Sequence, residues 1–68
     1  MRTEIVNGAD GNEYCIHEDG TTHRRKYLTL KSTDEKPIEG MRNTDLIHEF
    51  DTGNVFMFDE DGKVWLEQ

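Results

Sequence analysis

Short turn sequences divide this chain into segments of only a few residues each. Glycine adjoins an asparagine or an aspartate at five places: Asn7-Gly8, Asp10-Gly11, Asp19-Gly20, Gly53-Asn54 and Asp61-Gly62. Such pairs, lying between runs rich in β-branched and aromatic residues, are typical of hairpins and leave little room for helices. The sequence therefore predicts an all-β fold, a small antiparallel meander or sheet of about five or six short strands.

The distribution of apolar and polar residues predicts how these strands are organised. The segments with the composition of strands are Glu4–Val6, Glu13–His17, Arg25–Lys31, Leu46–Phe50, Val55–Phe58 and Val64–Glu67. The polar stretch 32–43 contains the one proline, Pro37. We expect a single small β domain over residues 1–68, with N-terminal strands in 1–31, a connecting loop over 32–43 and a three-stranded meander over 44–68.

The size of the chain limits how stable it can be alone. It has 68 residues and one cysteine, Cys15, so it cannot form an internal disulfide. A domain of this size buries only about 60% of the surface of its unfolded chain. Small domains usually gain stability from disulfides, metals or association. We therefore expect association with another copy or with a partner protein, and a metal is the less favoured alternative.

Turn chemistry also predicts a register for the C-terminal meander. Three-residue loops over 51–53 and 60–62 would end in Gly53 and Gly62, each at the positive φ that glycine adopts easily. Leu46 would then face Phe58, and a one-residue shift would move every side chain to the other face. The predicted core is the even-numbered face: Leu46, Phe50, Phe56, Phe58, Val64 and Leu66.

The opposite, odd-numbered face of the predicted meander is too apolar to lie in water. Its large apolar residues are Ile47, Val55, Met57 and Trp65. A solvated sheet face normally alternates to polar residues, and a contiguous apolar patch usually marks an interaction surface. We predict that these four residues form a protein-interaction surface with Trp65 as its anchor. Coverage of the face by the N-terminal strands is the alternative.

Several groups of chemically active residues favour structural roles over catalysis. The stretch 59–62, Asp-Glu-Asp-Gly, begins like a calcium loop, but the residues that follow lack the oxygen ligands of such a loop. Asp51, Asp59 and Asp61 are therefore predicted to stabilise turns. Cys15 and His17 lie on one side of a strand, and with His23 or His48 they could form a zinc site or a Cys–His nucleophile pair. Nothing else in the sequence supports either site, so we predict no catalytic, cofactor or metal site and no enzymatic activity.

The net charge of the chain favours some classes of binding partner over others. The net charge is −7, which opposes binding to phosphate backbones, so no nucleic-acid partner is predicted. The exception is the segment 24–31, which has four basic residues and no acid, and for which we favour a charged edge strand. The apolar runs are too short to span a membrane, and the first residues lack the apolar stretch of a signal peptide.

Part of the chain resembles a group of small proteins. The stretch KYLTLKSTDEKP, followed by a polar gap and HEFDTGNVFMFDEDGKVWLEQ, resembles small proteins encoded by tailed phages and prophages. In those proteins an L-S-T-D-x-K-P segment precedes an E-x-D-T-G-x-V-Y-x-F-D pattern and a final tryptophan. The resemblance covers about residues 26–68; Phe56 replaces the usual tyrosine, and 43–45 departs from the usual small residues.

The resemblance implies a function through contact rather than chemistry. It suggests a non-enzymatic phage or prophage virion protein, structural or accessory, that binds itself or other virion proteins. The expected location is the virion or the cytoplasm of the bacterial host. The alternatives are a small acidic regulator that binds a host protein and, less favoured, a metal-binding domain.

Overall fold

The computed structural model describes all residues, 1–68, and the chain is entirely β with no helix. The structure has seven strands, joined by turns and by one long connection over residues 31–45. The strands are β1 Thr3–Asn7, β2 Glu13–His17, β3 Thr22–Arg24, β4 Tyr27–Leu30, β5 Leu46–Glu49, β6 Val55–Asp59 and β7 Val64–Glu67. The predicted all-β class is confirmed.

The strands form two sheets instead of one meander. The first sheet has the order β1-β2-β3 and is antiparallel throughout. The second sheet has the order β4-β5-β6-β7, in which β4 and β5 are parallel and the other pairs are antiparallel. Parallel neighbours require a long crossover. The connection over 31–45 is that crossover, and it crosses one face of the second sheet.

The expected strand list is close to the observed one but incomplete. The bounds of β2 and β7 are as predicted. The strand predicted over 25–31 is shorter in the structure, and a further strand, which was not predicted, precedes it. Thr22–Arg24 forms a separate strand on β2, and Tyr27–Leu30 leaves the first sheet to join β5 in the second. Arg25 and Lys26 span the two sheets. The strand count of five or six is therefore too low.

The predicted register of the meander is wrong at its first hairpin. Leu46 faces Met57, where the prediction placed Phe58, and Ile47 faces Phe56. Glu49 N–H donates to the carbonyl oxygen of Asn54 at 2.9 Å, so the loop contains four residues, 50–53. Four-residue hairpin loops are commonly built around a type I turn. The extra loop residue shifts the pairing by one.

The second hairpin repeats the same one-residue difference. Asp59 pairs with Val64, which leaves a four-residue loop over 60–63. Gly53 has the predicted positive φ, 81°, but Gly62 does not, and Lys63 carries the left-handed conformation instead, with φ 51°. The prediction for Gly62 is therefore wrong, because the left-handed position falls at the fourth loop residue.

The shifted register redistributes the predicted core. Phe56 and Phe58 do lie on the inner face of the second sheet, together with Ile47 and Trp65, which were predicted to lie opposite them. The other predicted core residues are elsewhere: Leu46, Val64 and Leu66 lie on the outer face, and Phe50 is exposed in the first hairpin loop. A one-residue shift in strand pairing changes which residues lie on the same face of the sheet. Each one-residue error therefore placed some residues on the wrong face.

The crossover covers the inner face of the second sheet. The indole N–H of Trp65 donates to the carbonyl oxygen of Pro37 at 2.8 Å. The ammonium group of Lys36 lies 4.6 Å from the centre of the Phe56 ring, within the range of a cation–π contact. Ile47 and Phe58 are buried beneath this connection. The small apolar core therefore lies between the second sheet and the crossover.

Candidate functional site

The four predicted interaction residues do not form one surface. Ile47 is completely buried on the inner face of the second sheet, and Trp65 is half-buried on the same face. Val55 and Met57 are half-buried on the outer face. The predicted grouping on one face is therefore wrong.

A different set of apolar residues lies in line across the outer face. Tyr27, Leu46, Met57 and Leu66 are successive neighbours on β4, β5, β6 and β7, and we call them the outer row. At the usual spacing between strands the row is about 14 Å long. Its two ends are the most exposed, with Tyr27 57% and Leu66 49% accessible.

The outer row borders an open hollow between the two sheets. Met57 and Leu66 form one side of it, while Met1 and Thr3 lie on its other side. The volume of the hollow is about 370 Å³. The hollow extends the accessible apolar surface beyond the row itself.

The two sheets meet through a polar junction instead of packing strand on strand. Residues 42–45, just before β5, form the second sheet's side of this junction. The Sγ atom of Cys15 lies 3.0 Å from the hydroxyl oxygen of Thr44, and Arg25 Nε donates to the Thr44 carbonyl oxygen at 2.7 Å. The amide of Asn43 donates to the carbonyl oxygen of Met1 at 2.9 Å. Hydrogen bonds therefore make most of the contact between the sheets.

Arg42 supplies the charge pairs of the junction. Its guanidinium donates to Glu60 Oε1 at 2.6 Å and lies 3.7 Å from a carboxylate oxygen of Asp19. The hydrogen bond from Arg42 lowers the pKa of Glu60 below its ordinary value. Arg42 thereby joins the turn before β3 to the turn after β6.

Four side chains form a continuous hydrogen-bonded chain across the junction, which we call the relay. Thr3 Oγ1 lies 2.8 Å from His17 Nδ1, His17 Nε2 lies 2.8 Å from His23 Nδ1, and His23 Nε2 lies 2.9 Å from Asp45 Oδ1. His17 is 2% accessible and Asp45 is completely buried. Burial, the charge of Arg42 and the neighbouring His23 lower the pKa of His17, in that order of effect. Burial thus disfavours a positive charge on the His17 ring between the sheets.

The structure brings together only some residues of the possible zinc site and Cys–His pair. His17 and His23 do come together, but their facing nitrogens bond to each other. Cys15 contacts Thr44, and His48 is exposed on the outer face. No group of three or more His, Cys, Asp or Glu side chains converges in a geometry suited to a metal ion.

The acidic turn residues accept hydrogen bonds from nearby groups. Asp51 accepts from the backbone N–H and the hydroxyl of Ser32, at 2.9 and 2.6 Å, and these bonds lower the pKa of its carboxyl group. Asp59 accepts from the backbone N–H of Asp61 at 3.2 Å, and Asp61 pairs with the N-terminal ammonium group. Asp51 therefore links the first hairpin to the crossover.

Two basic side chains of the segment between the sheets bind other groups of the same chain. Besides its bond to Thr44, Arg25 lies over the Tyr27 ring, 5.4 Å from its centre, and 3.5 Å from Glu13. Lys26 Nζ donates to the carbonyl oxygen of Gly40 at 2.5 Å. These contacts give the two basic side chains a structural role.

Sequence reasoning missed Thr3, Asn43 and Asp45 as members of the junction. It did place Cys15 and His17 on one side of a strand, for which the alternation on β2 was the signal, and it left His23 and His48 as alternative partners. The remaining partners come from residues 14 to 40 positions away, for which local patterns give no signal.

Comparisons with known proteins identify no relative. No family model matches this chain, and neither a curated protein nor a solved structure shows significant similarity to it. The structure contains no helix that could cross a membrane.

Proposed function

We propose that this chain is a non-enzymatic structural or accessory protein of a phage or prophage virion. It acts by protein–protein contact through the outer row, in the virion or in the cytoplasm of the bacterial host. The single observation that supports contact is the apolar line from Tyr27 to Leu66, whose two ends are exposed. The support for a phage origin is the resemblance of residues 26–68 to small phage and prophage proteins.

The outer row has the composition of an interface centre. Tyrosine, methionine and leucine side chains provide large apolar area, and tyrosine and methionine are enriched at protein interfaces. Burying apolar surface contributes about 25 cal/mol per Å² before the costs of association. Val55 and Val64, adjacent to the row on the same face, extend the apolar area.

Charge favours a partner other than a second copy. Each chain carries a net charge of −7, so two copies repel each other as they approach. A virion protein with an apolar patch surrounded by basic residues would be attracted by the same charge. We therefore assign the outer row to such a partner, and association between copies becomes an outcome that sedimentation measures.

The test is incorporation into purified particles. A tagged chain is expressed in the host that carries the phage or prophage, particles are purified on a density gradient, and the tag is quantified. Leu66→Asp, at an exposed end of the outer row, should lower incorporation at least tenfold. The matched control is Ile38→Asp in the crossover, which is similarly exposed (51%) and should be incorporated normally.

Two results would contradict the proposal. Absence of the wild-type chain from purified particles would exclude a virion component, and binding to a host protein would then favour the regulatory alternative. Equal incorporation of the Leu66 and Ile38 variants would exclude the outer row as the contact. Circular dichroism of both variants checks that each is folded.

A further inference from the structure

The relay between the sheets has one consistent arrangement of hydrogens when both imidazoles are neutral and Asp45 is a carboxylate. Asn43 Nδ2 donates to Thr3 Oγ1 at 3.2 Å, so the Thr3 hydroxyl is free to donate to His17 Nδ1. His17 Nε2–H then donates to His23 Nδ1, and His23 Nε2–H donates to the Asp45 carboxylate. Every donor has an acceptor, and both histidines carry the hydrogen on Nε2.

The two imidazole rings meet edge to edge. Their facing nitrogens are 2.8 Å apart, their ring centres are 4.9 Å apart, and their planes differ by only 3°. Such coplanar rings share one hydrogen between His17 Nε2 and His23 Nδ1. If both rings were protonated, two N–H groups would point at each other across 2.8 Å. The closed junction therefore accepts at most one added proton.

When the two sheets are apart, both rings can be protonated at the same time. An imidazole in water has an ordinary pKa of about 6.5, so a histidine side chain released into water is protonated at pH 5. Opening the junction below that pKa consequently takes up between one and two protons. For each proton taken up, the opening equilibrium constant rises about tenfold per pH unit.

The charges around the relay determine where a first added proton is tolerated. Arg42 repels a proton on His17, while Glu60 and Asp19 favour it, and burial of the ring opposes it. On His23 the added hydrogen would be on Nδ1, facing His17, while the positive charge of the ring would lie beside the Asp45 carboxylate, whose oxygens also accept from the backbone N–H groups of Lys26 and Arg42. His17 is thus the member that resists protonation in the closed state.

The relay is the histidine-containing part of a junction that also includes the Arg42–Asp19, Asn43–Met1 and Cys15–Thr44 contacts. The strands of the two sheets do not pack on each other, and three of the four buried residues at the junction, His17, Asn43 and Asp45, are polar. Each sheet keeps its own ladder of backbone hydrogen bonds when the junction separates. Loss of the relay therefore weakens the contact between sheets before it weakens either sheet.

We propose that the His17–His23 pair is an acid-sensitive latch that holds the three-stranded sheet against the four-stranded sheet. Above the ordinary pKa of imidazole the latch is closed. Between about pH 6.5 and 5, proton uptake by the two rings releases the first sheet. The release exposes Cys15 and widens the hollow beside the outer row. This inference concerns the joint between the sheets and does not depend on the proposed function.

Nuclear magnetic resonance on the whole chain tests the latch. Long-range proton–nitrogen spectra at pH 7.5 should show His17 and His23 both as the Nε2–H tautomer. Amide hydrogen exchange is then measured as protection factors between pH 7.5 and 5. The pH dependence of these factors should differ between the two sheets. Protection in β1–β3 should fall about tenfold or more for each pH unit below 6.5, while protection in β5–β7 changes much less.

A histidine variant provides a sharper test. In His17→Gln the amide can turn its oxygen toward His23 Nδ1, so that a protonated His23 donates both to Gln and to Asp45. The acid-induced loss of protection should disappear in this variant or reverse its sign. The matched control is His48→Gln, because His48 is exposed and lies outside the junction; its pH dependence should equal that of the wild type.

Three results would overturn the latch. One is protonation of both rings with the sheets still closed. Another is equal loss of protection in both sheets, which would mean that acid only unfolds the chain. The third is an unchanged pH dependence in a folded His17→Gln variant; if that variant does not fold, the tautomers and exchange of the wild type decide the question alone.

Discussion

The ammonium group of Lys36 donates to Glu49 Oε2 at 2.5 Å and joins the crossover to the C-terminal end of β5. The side chain of Glu49 is only 5% accessible, and its second oxygen accepts from the Thr52 hydroxyl at 2.8 Å. The hydrogen bond from Lys36 and that from Thr52 lower the pKa of Glu49 below its ordinary 4.5. One carboxylate thus links the crossover, β5 and the first hairpin loop.

Lys36→Met should destabilise the fold because it leaves the buried Glu49 carboxylate without its counter-charge. We expect the melting midpoint at pH 7 to fall by about 4–8 °C, as measured by circular dichroism. Lys63→Met is the control, since Lys63 is exposed and makes no ion pair; it should shift the midpoint much less. Equal shifts for the two variants would contradict a role for the Lys36–Glu49 pair.

The same pair predicts a pH dependence with a definite sign. Because the folded pKa of Glu49 is lowered, the stabilisation is present above its unfolded value of 4.5 and is lost as pH falls through the folded value. The difference in stability between wild type and Lys36→Met should therefore be largest above pH 4.5 and shrink below it. Denaturant titrations at pH 7, 4 and 3 measure the difference. A gap that widens in acid would contradict the assignment.

The two hairpin glycines should respond differently to substitution. Gly53 has φ 81° and open space around it, so Gly53→Ala tests only the backbone conformation and should cost roughly 1–2 kcal/mol. Gly62 has no positive φ, and an added Cβ would lie 3.0 Å from a methyl carbon of the exposed Val64. Gly62→Ala should cost less than Gly53→Ala in chemical denaturation. The reverse order would contradict the four-residue loops.

These loops show where sequence reasoning succeeded and where it failed. The Asx–Gly pairs correctly placed both hairpins, because turn chemistry is local. They could not distinguish three-residue from four-residue loops, since Gly53 fits a left-handed position in either, and Lys63 occupies a position that the sequence does not mark. The parallel pairing of β4 with β5 was also missed. It depends on contacts between residues 19 or 20 positions apart, such as Leu46 N–H to Lys26 O, which local patterns do not contain.

Thr44 carries the backbone strain of the polar junction. It has φ 74°, a left-handed conformation that a β-branched residue rarely adopts. Its N–H donates to Phe58 O, its carbonyl accepts from Arg25, and its hydroxyl contacts Cys15, so three bonds hold the conformation. Thr44→Gly and Thr44→Ala both remove the hydroxyl, but only glycine relieves the strain. The glycine variant should be more stable than the alanine variant by about 1 kcal/mol in urea denaturation. Equal stabilities would show that the strain is absent.

Trp65 provides the last test, because the register moves it from the predicted interaction surface to the inner face. Its ring meets Phe58 edge-on, with centres 4.9 Å apart and planes inclined at 64°, and its N–H donates to Pro37 O at 2.8 Å. Trp65→Phe keeps an aromatic ring but removes this bond, so it should destabilise the fold by about 1 kcal/mol. It should also increase hydrogen exchange in the crossover at Met41, whose N–H donates to the carbonyl oxygen of Ile38 at 3.2 Å. The matched control is Leu66→Ala on the adjacent residue, whose side chain lies on the outer face and should leave exchange in the crossover unchanged. Unchanged stability and crossover exchange in Trp65→Phe, together with a loss of partner binding, would return Trp65 to the interaction surface.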